Sequence, residues 1–89
     1  MDFNITTIVD VKQKIALAIK TLRKKENLSQ AELATLLVVS RITIQNLESG
    51  KNFTIDVLLK ALQYFNLLEE VNTQIDTAIE TNKNTISLY

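Results

Sequence analysis

Apolar residues recur every three or four positions along most of the chain. Val11, Ile15, Ala18, Ile19 and Leu22 set the first such stripe, with lysines around it. This spacing predicts a helix over Val11–Lys25 with Asp10 as its N-cap. Glu26-Asn27-Leu28 interrupts it, and Asn27 tolerates the left-handed conformation that closes a helix. Ser29, with Glu32 three residues on, forms a capping-box pattern. It opens a second helix over 30–37 that buries Ala31, Leu33, Ala34 and Leu37. Ser40 caps a third helix, Arg41–Glu48, with Ile44 and Leu47 inward and Gly50 fitting the position after its end. Thr54 starts a fourth, Ile55–Phe65, with apolar positions Ile55, Leu58, Leu59, Ala61, Leu62 and Phe65. Asn66 breaks the chain. A fifth helix over 67–80 carries Leu68, Val71, Ile75 and Ala78 or Ile79. Thr81–Tyr89 is polar until Ile86-Ser87-Leu88-Tyr89, and reads either as a disordered tail or as a short strand that needs a partner.

Composition supports an all-α chain. There is no Pro and one Gly in 89 residues, so little in the sequence breaks helices. Apolar residues make up 46% of it, enough for one small packed domain, although a core of this size is marginal without good helix packing or association. No Cys and no His are present, which excludes thiol chemistry, disulfides, Cys/His zinc sites and histidine acid–base catalysis. No metal or other cofactor is expected. The carboxylates are scattered and no glycine-rich phosphate loop exists, so an enzyme is a distant third reading. No apolar run approaches the ~20 residues of a membrane span. Met1–Asp10 lacks the basic start and apolar stretch of a secretory signal.

The net charge of zero conceals an asymmetry. Val11–Lys60 holds nine basic and four acidic residues, whereas Ala61–Tyr89 holds one basic residue and four acidic ones. A basic reading half joined to an acidic association half produces this pattern, although an ordinary solvated surface also does.

The pair 30–37 and 41–48, joined by a tight turn, is a helix-turn-helix pattern. In that motif the second helix enters the major groove of double-stranded DNA with its N-terminal side chains at base edges. The residue types suit these roles. Gln30, at the start of the first helix, is a candidate phosphate contact. Arg41 matches guanine O6 and N7, Gln45 and Asn46 match adenine, and Ile42 matches a thymine methyl. Arg41 stands where the helix dipole disfavours a cation, which favours a ligand-facing role over a merely solvated one. Lys51 and Asn52, after the helix, are further candidates for phosphate. Ser40, at the cap of that helix, is a further candidate DNA contact. Gln45 has two open orientations, into the groove or away from it. Tyr64 and Phe65 read as core rather than as a stacking platform.

The ordered set Ser29-Gln30-Ala31-Glu32-Leu33-Ala34, Ser40-Arg41-Ile42-Thr43-Ile44 and Leu47-Glu48-Ser49-Gly50-Lys51 resembles the Xre/Cro family of phage-repressor-type helix-turn-helix domains. Ile19–Arg23 and Leu58–Leu62 match in spacing, and the resemblance covers about Ile15 to Leu68. It implies a five-helix repressor-type DNA-binding domain that dimerises on two-fold operators. It also implies a cytoplasmic, nucleoid-associated protein of bacterial or phage type. By the same resemblance, Gln30, Arg41, Ile42, Thr43 and Asn46 fall at positions that contact phosphate or bases. Glu48 is expected to pair within the domain, with Arg23 a candidate partner. Two departures stand out. Val38 occupies the place where the family usually has Gly, and a β-branched residue is costly in the left-handed region. Either the turn differs locally or Val38 tolerates strain. The loop Gly50–Thr54 is short and lacks the usual Pro. With Leu67-Leu68-Glu69 it resembles HipB-like regulators found beside HipA-type kinases.

The expected organisation is therefore an N-terminal segment (1–10), a DNA-binding domain (11–68, motif 30–49), a dimerisation helix (67–80) and a tail (81–89). The leading function is a repressor acting as a homodimer through Leu68, Val71, Ile75 and Ile79 on the fifth helix. The alternative is an antitoxin that binds a HipA-like kinase toxin and represses its own operon, with Thr85–Tyr89 adding a strand to that partner or to a second subunit. A controller protein of a restriction–modification system is also compatible with the DNA-binding class.

Overall fold

The computed structural model describes residues 5–86. They form α1 (Ile8–Lys25), α2 (Gln30–Leu37), α3 (Arg41–Ser49), α4 (Ile55–Tyr64) and α5 (Leu68–Ile86). No strand occurs among the described residues.

Local chemistry sets most of the boundaries. Ser29, Ser40 and Thr54 cap α2, α3 and α4 as their sequence positions predict. The Ser29–Glu32 capping box is closed in both directions, at 3.0 and 2.8 Å. The start of α1 corrects the expectation. Thr7 is the N-cap, and Asp10 lies inside the first turn, where its carboxylate accepts the Thr7 backbone N–H at 3.2 Å. The helix thus begins three residues before Val11, because a Thr7–Asp10 capping box satisfies more backbone donors than a lone Asp10 cap would.

Four helix ends close in the same way. The first or second residue past the helix takes the left-handed conformation, with φ of 58° at Asn27, 57° at Val38, 71° at Gly50 and 61° at Asn66. Its N–H and the next residue's N–H turn back onto carbonyls of the last turn; Val38 donates to Thr35 O at 3.2 Å and Val39 to Ala34 O at 2.9 Å. This is the Schellman arrangement. The following residue is Leu28, Val39 or Leu67 in three of the four cases, and each packs on the core. The turn before α3 therefore keeps the left-handed geometry, and Val38 adopts it. At Gly50 the φ of 71° is the reason for Gly, since an added β-carbon, 2.7 Å from the Gln13 side-chain nitrogen, would only push that flexible amide aside.

The core lies between α1, α2, α3 and α4. Ile19, Leu33, Ile44 and Leu47 are its largest fully enclosed side chains, joined by Ala34, Leu37, Ala61 and Phe65. Tyr64 packs edge-on against Phe65, with ring centroids 5.1 Å apart. Several predicted core positions are surface instead. Ala31 and Ile55 sit in the first turns of their helices, ahead of the packed layer, and are exposed. Val11 and Ala18 are also exposed, because the face α1 turns inward is Ala16, Ile19 and Arg23.

The longest correction concerns the C-terminal part. α5 does not stop at 80 but continues to Ile86, so 81–86 is helix rather than disordered tail or strand. The region has no Pro or Gly to end the helix. The expectations for 1–4 and 87–89 lie outside the described residues. Leu67 packs on the core just before α5, which contacts α4; Leu68 and Val71 near its start are half-buried, whereas Ile75 and Ile79 are 53% and 55% exposed. No helix is long and apolar enough to cross a membrane among the described residues.

Candidate nucleic-acid interface

α3 is held by two apolar residues and one acid. Ile44 and Leu47 are fully enclosed, and the Glu48 side chain is 2% exposed. Helical spacing then puts Ile42, Gln45, Asn46 and Ser49 on the opposite face. Ile42 is 66% exposed, far more than a side chain of that size has in a core. Arg41 is exposed at the start of the helix. The first turn of α3 holds no acid, whereas α1, α2, α4 and α5 each carry Asp or Glu there. The positive end of the α3 dipole is thus left unneutralised and is reinforced by Arg41, an arrangement that favours an anionic ligand.

The other expected site residues fall around this face. Gln30, half-buried, begins α2 and shares a shallow polar cleft with Arg41 and Gln45, walled by Arg23, Ser29 and Ala31. Gln45 therefore turns toward the α2 side of the face. Asn46 lies one turn beyond Ile42 and is half-buried. Ser40 and Thr43 serve the helix start as well, since the Ser40 hydroxyl accepts Thr43 N–H at 3.1 Å and the two hydroxyls bond at 2.8 Å. Lys51 and Asn52 are exposed in the loop that follows. That loop is braced from α1: Gln13 donates to Ser49 O at 3.4 Å, and the Lys12 ammonium lies 5.7 Å from the Phe53 ring centroid.

Behind the face is a buried ionic junction. Arg23 donates to Glu48 through Nε at 2.6 Å and Nη2 at 2.9 Å, and through Nη1 to Leu28 O at 2.7 Å. The hydrogen bond to Glu48 raises the Arg23 pKa above its ordinary value, so the guanidinium stays charged. Gln30 Nε2 donates to the Glu48 oxygen at 3.1 Å. This junction ties the end of α1, the α1–α2 turn, the start of α2 and the end of α3. No buried side-chain polar atom is left without a partner among the described residues.

Sequence reasoning did not find two features. Ser49 shares the outward face of α3, with its hydroxyl turned back to Asn46 O at 3.0 Å. Gln30 is tied to Glu48 from eighteen positions away, a contact for which helical spacing carries no signal. No group of three or more His, Cys, Asp or Glu suited to a metal ion exists among the described residues.

Two short helices joined by the Val38-Val39-Ser40 turn, the second with its outer face bare, define a helix-turn-helix DNA-binding module. A sequence model of the helix-turn-helix family matches residues 19–70, from the middle of α1 into α5. The chain belongs to this family, in its Xre/Cro-type branch, and is a DNA-binding transcriptional regulator. No curated protein matches the chain significantly.

Proposed function

We propose that the chain is a sequence-specific repressor that binds a two-fold operator as a homodimer. The observation that carries this reading is the outer face of α3: Ile42, Gln45 and Asn46 facing away from the core, with Arg41 at a helix start free of acids. Arg41 pairs with guanine and Asn46 with adenine in the major groove, and Ile42 packs on a thymine methyl. Gln45 reaches a base edge from the α2 side of the face. Gln30, Ser40, Thr43, Lys51 and Asn52 hold the backbone on either side and set the register. So few base contacts discriminate weakly in one copy, and two copies on half-sites ~34 Å apart double them.

Self-association through α5 has its own support. Leu68, Val71, Ile75 and Ala78 follow the alternating three-and-four spacing of a helix-pairing seam, with Ile79 beside it. Glu69, Glu70, Asp76 and Glu80 all fall outside the seam and its flanking positions. An acidic helix arranged in this way meets its own copy without like charges in register.

The test is selection of bound sequences from random duplexes, followed by affinity measurement across salt concentrations. Arg41→Ala should cost about 1–3 kcal/mol and relax preference at one base pair per half-site. Lys51→Ala should weaken all sequences alike and lower the salt slope by about one. Unchanged binding in both variants refutes the assignment of α3 as the reading helix.

A further inference from the structure

The junction behind α3 has a third member beside its ion pair. Arg23 and Glu48 already satisfy one another in a two-pronged pair. Gln30 adds a third hydrogen bond to the same Glu48 oxygen that Arg23 Nη2 uses. A carboxylate only accepts, so the Gln30 amide must turn its nitrogen toward Glu48. That leaves its carbonyl oxygen and its second N–H free. Gln30 is half-buried and borders the cleft shared with Arg41 and Gln45.

We propose that Glu48 is a positioning residue for DNA recognition, acting through Gln30: the buried carboxylate clamps the Gln30 amide so that its second N–H is presented to a backbone phosphate. The inference rests on the reading that the α2 start and α3 face DNA. A long, flexible Gln side chain free in water loses rotamer freedom on binding. One fixed in advance by a buried acid loses less. The effect of Glu48 on affinity therefore passes through the Gln30 side chain and vanishes when that side chain is removed.

Glu48 cannot be removed alone without stranding the Arg23 charge. The test uses the paired exchange Arg23→Met with Glu48→Leu, since replacing a buried ion pair by apolar residues of similar volume often preserves the fold. Affinity for a selected duplex is measured for four proteins: the natural chain and the exchanged chain, each with Gln30 and with Gln30→Ala. Gln30→Ala should weaken the natural chain about three- to tenfold, the usual range for one hydrogen bond. The exchanged chain should be weakened by a similar factor while melting as cooperatively as the natural one. Gln30→Ala should then change it by less than about twofold. In nuclear magnetic resonance spectra, the two Gln30 side-chain amide protons should be widely separated in the natural chain and collapse toward the free-glutamine pattern in the exchanged chain. If Gln30→Ala weakens both backgrounds equally, Glu48 has no positioning role and the proposal is overturned. If Gln30→Ala leaves the natural chain unaffected while Arg41→Ala weakens it, the contact assigned to Gln30 is wrong and the clamp falls with it. If the exchanged chain does not fold, the amide-proton separation in the natural chain decides: a free-glutamine pattern there overturns the clamp, and wide separation supports it.

Discussion

Among the described residues, Val38 is the β-branched side chain held in the left-handed conformation. It closes α2 at φ 57° and ψ 49° and is 84% exposed. A branched side chain in the left-handed region costs about 1–2 kcal/mol, because its β-carbon crowds the backbone carbonyl. Exposure means the side chain returns little of this: fully burying a Val contributes about 1.5–3 kcal/mol, and Val38 realises only a small part of that. Replacing it with Gly removes the strain but enlarges the freedom of the unfolded chain, which offsets about 0.4–1 kcal/mol. Val38→Gly should therefore stabilise the domain by about 0.5–1 kcal/mol and raise Tm by roughly 2–8 °C. Val38→Asn should do as well or better, since Asn tolerates this conformation without the entropic term. The molecule supplies its own control. Asn27 and Asn66 occupy the same conformation at φ 58° and 61°, so Asn27→Val and Asn66→Val should each destabilise by about 1–2 kcal/mol. Urea unfolding followed by circular dichroism reads all four variants, with an unchanged m-value confirming that only stability moved. A lower midpoint for both Val38→Gly and Val38→Asn would show that the Val38 side chain holds the turn through contacts that outweigh its strain, and the reasoning would fail.

Other expectations concern separate parts of the molecule. Ile44→Ala, at a fully enclosed position, should cost about 2–5 kcal/mol in urea unfolding. Glu48→Leu alone should cost about 3–5 kcal/mol, because it leaves the buried Arg23 charge without its partner, and adding Arg23→Met should restore most of that loss. Asp10 and Glu32 are held below their ordinary carboxyl values by the Thr7 and Ser29 backbone N–H groups. Their stabilisation is complete above the unfolded-state values and is lost as pH falls through the depressed folded-state ones, so Asp10→Asn with Glu32→Gln should flatten the acid side of a stability–pH curve. On the proposed pairing through α5, the natural chain should sediment as a dimer in analytical ultracentrifugation and Ile75→Asp as a monomer, and a dimer unchanged by the substitution excludes α5 as the interface.

Helix starts and stops were legible because their signals are local. Ser29, Ser40 and Thr54 hydrogen-bond within three residues of themselves, and Asn27, Gly50 and Asn66 act through their own backbone freedom. Errors arose where two local signals competed. Asp10 resembled a cap until Thr7 upstream proved the better one. The polar run after Glu80 resembled a tail because periodicity fades there, yet nothing in it obstructs helix.

By itself, then, the sequence determined the order of the five helices, the capped turn between α2 and α3, and the outward set of Arg41, Ile42 and Asn46, all properties of residues within one or two helical turns of each other. Only the tertiary structure decided that Gln30 joins the Arg23–Glu48 pair, that α1 turns Ala16 and Arg23 inward rather than Val11 and Ala18, and that α5 becomes fully exposed after Val71. The physical reason is the same in each case. A helix's own spacing states which residues share a face, but which face is covered, and by what, depends on where distant elements come to rest.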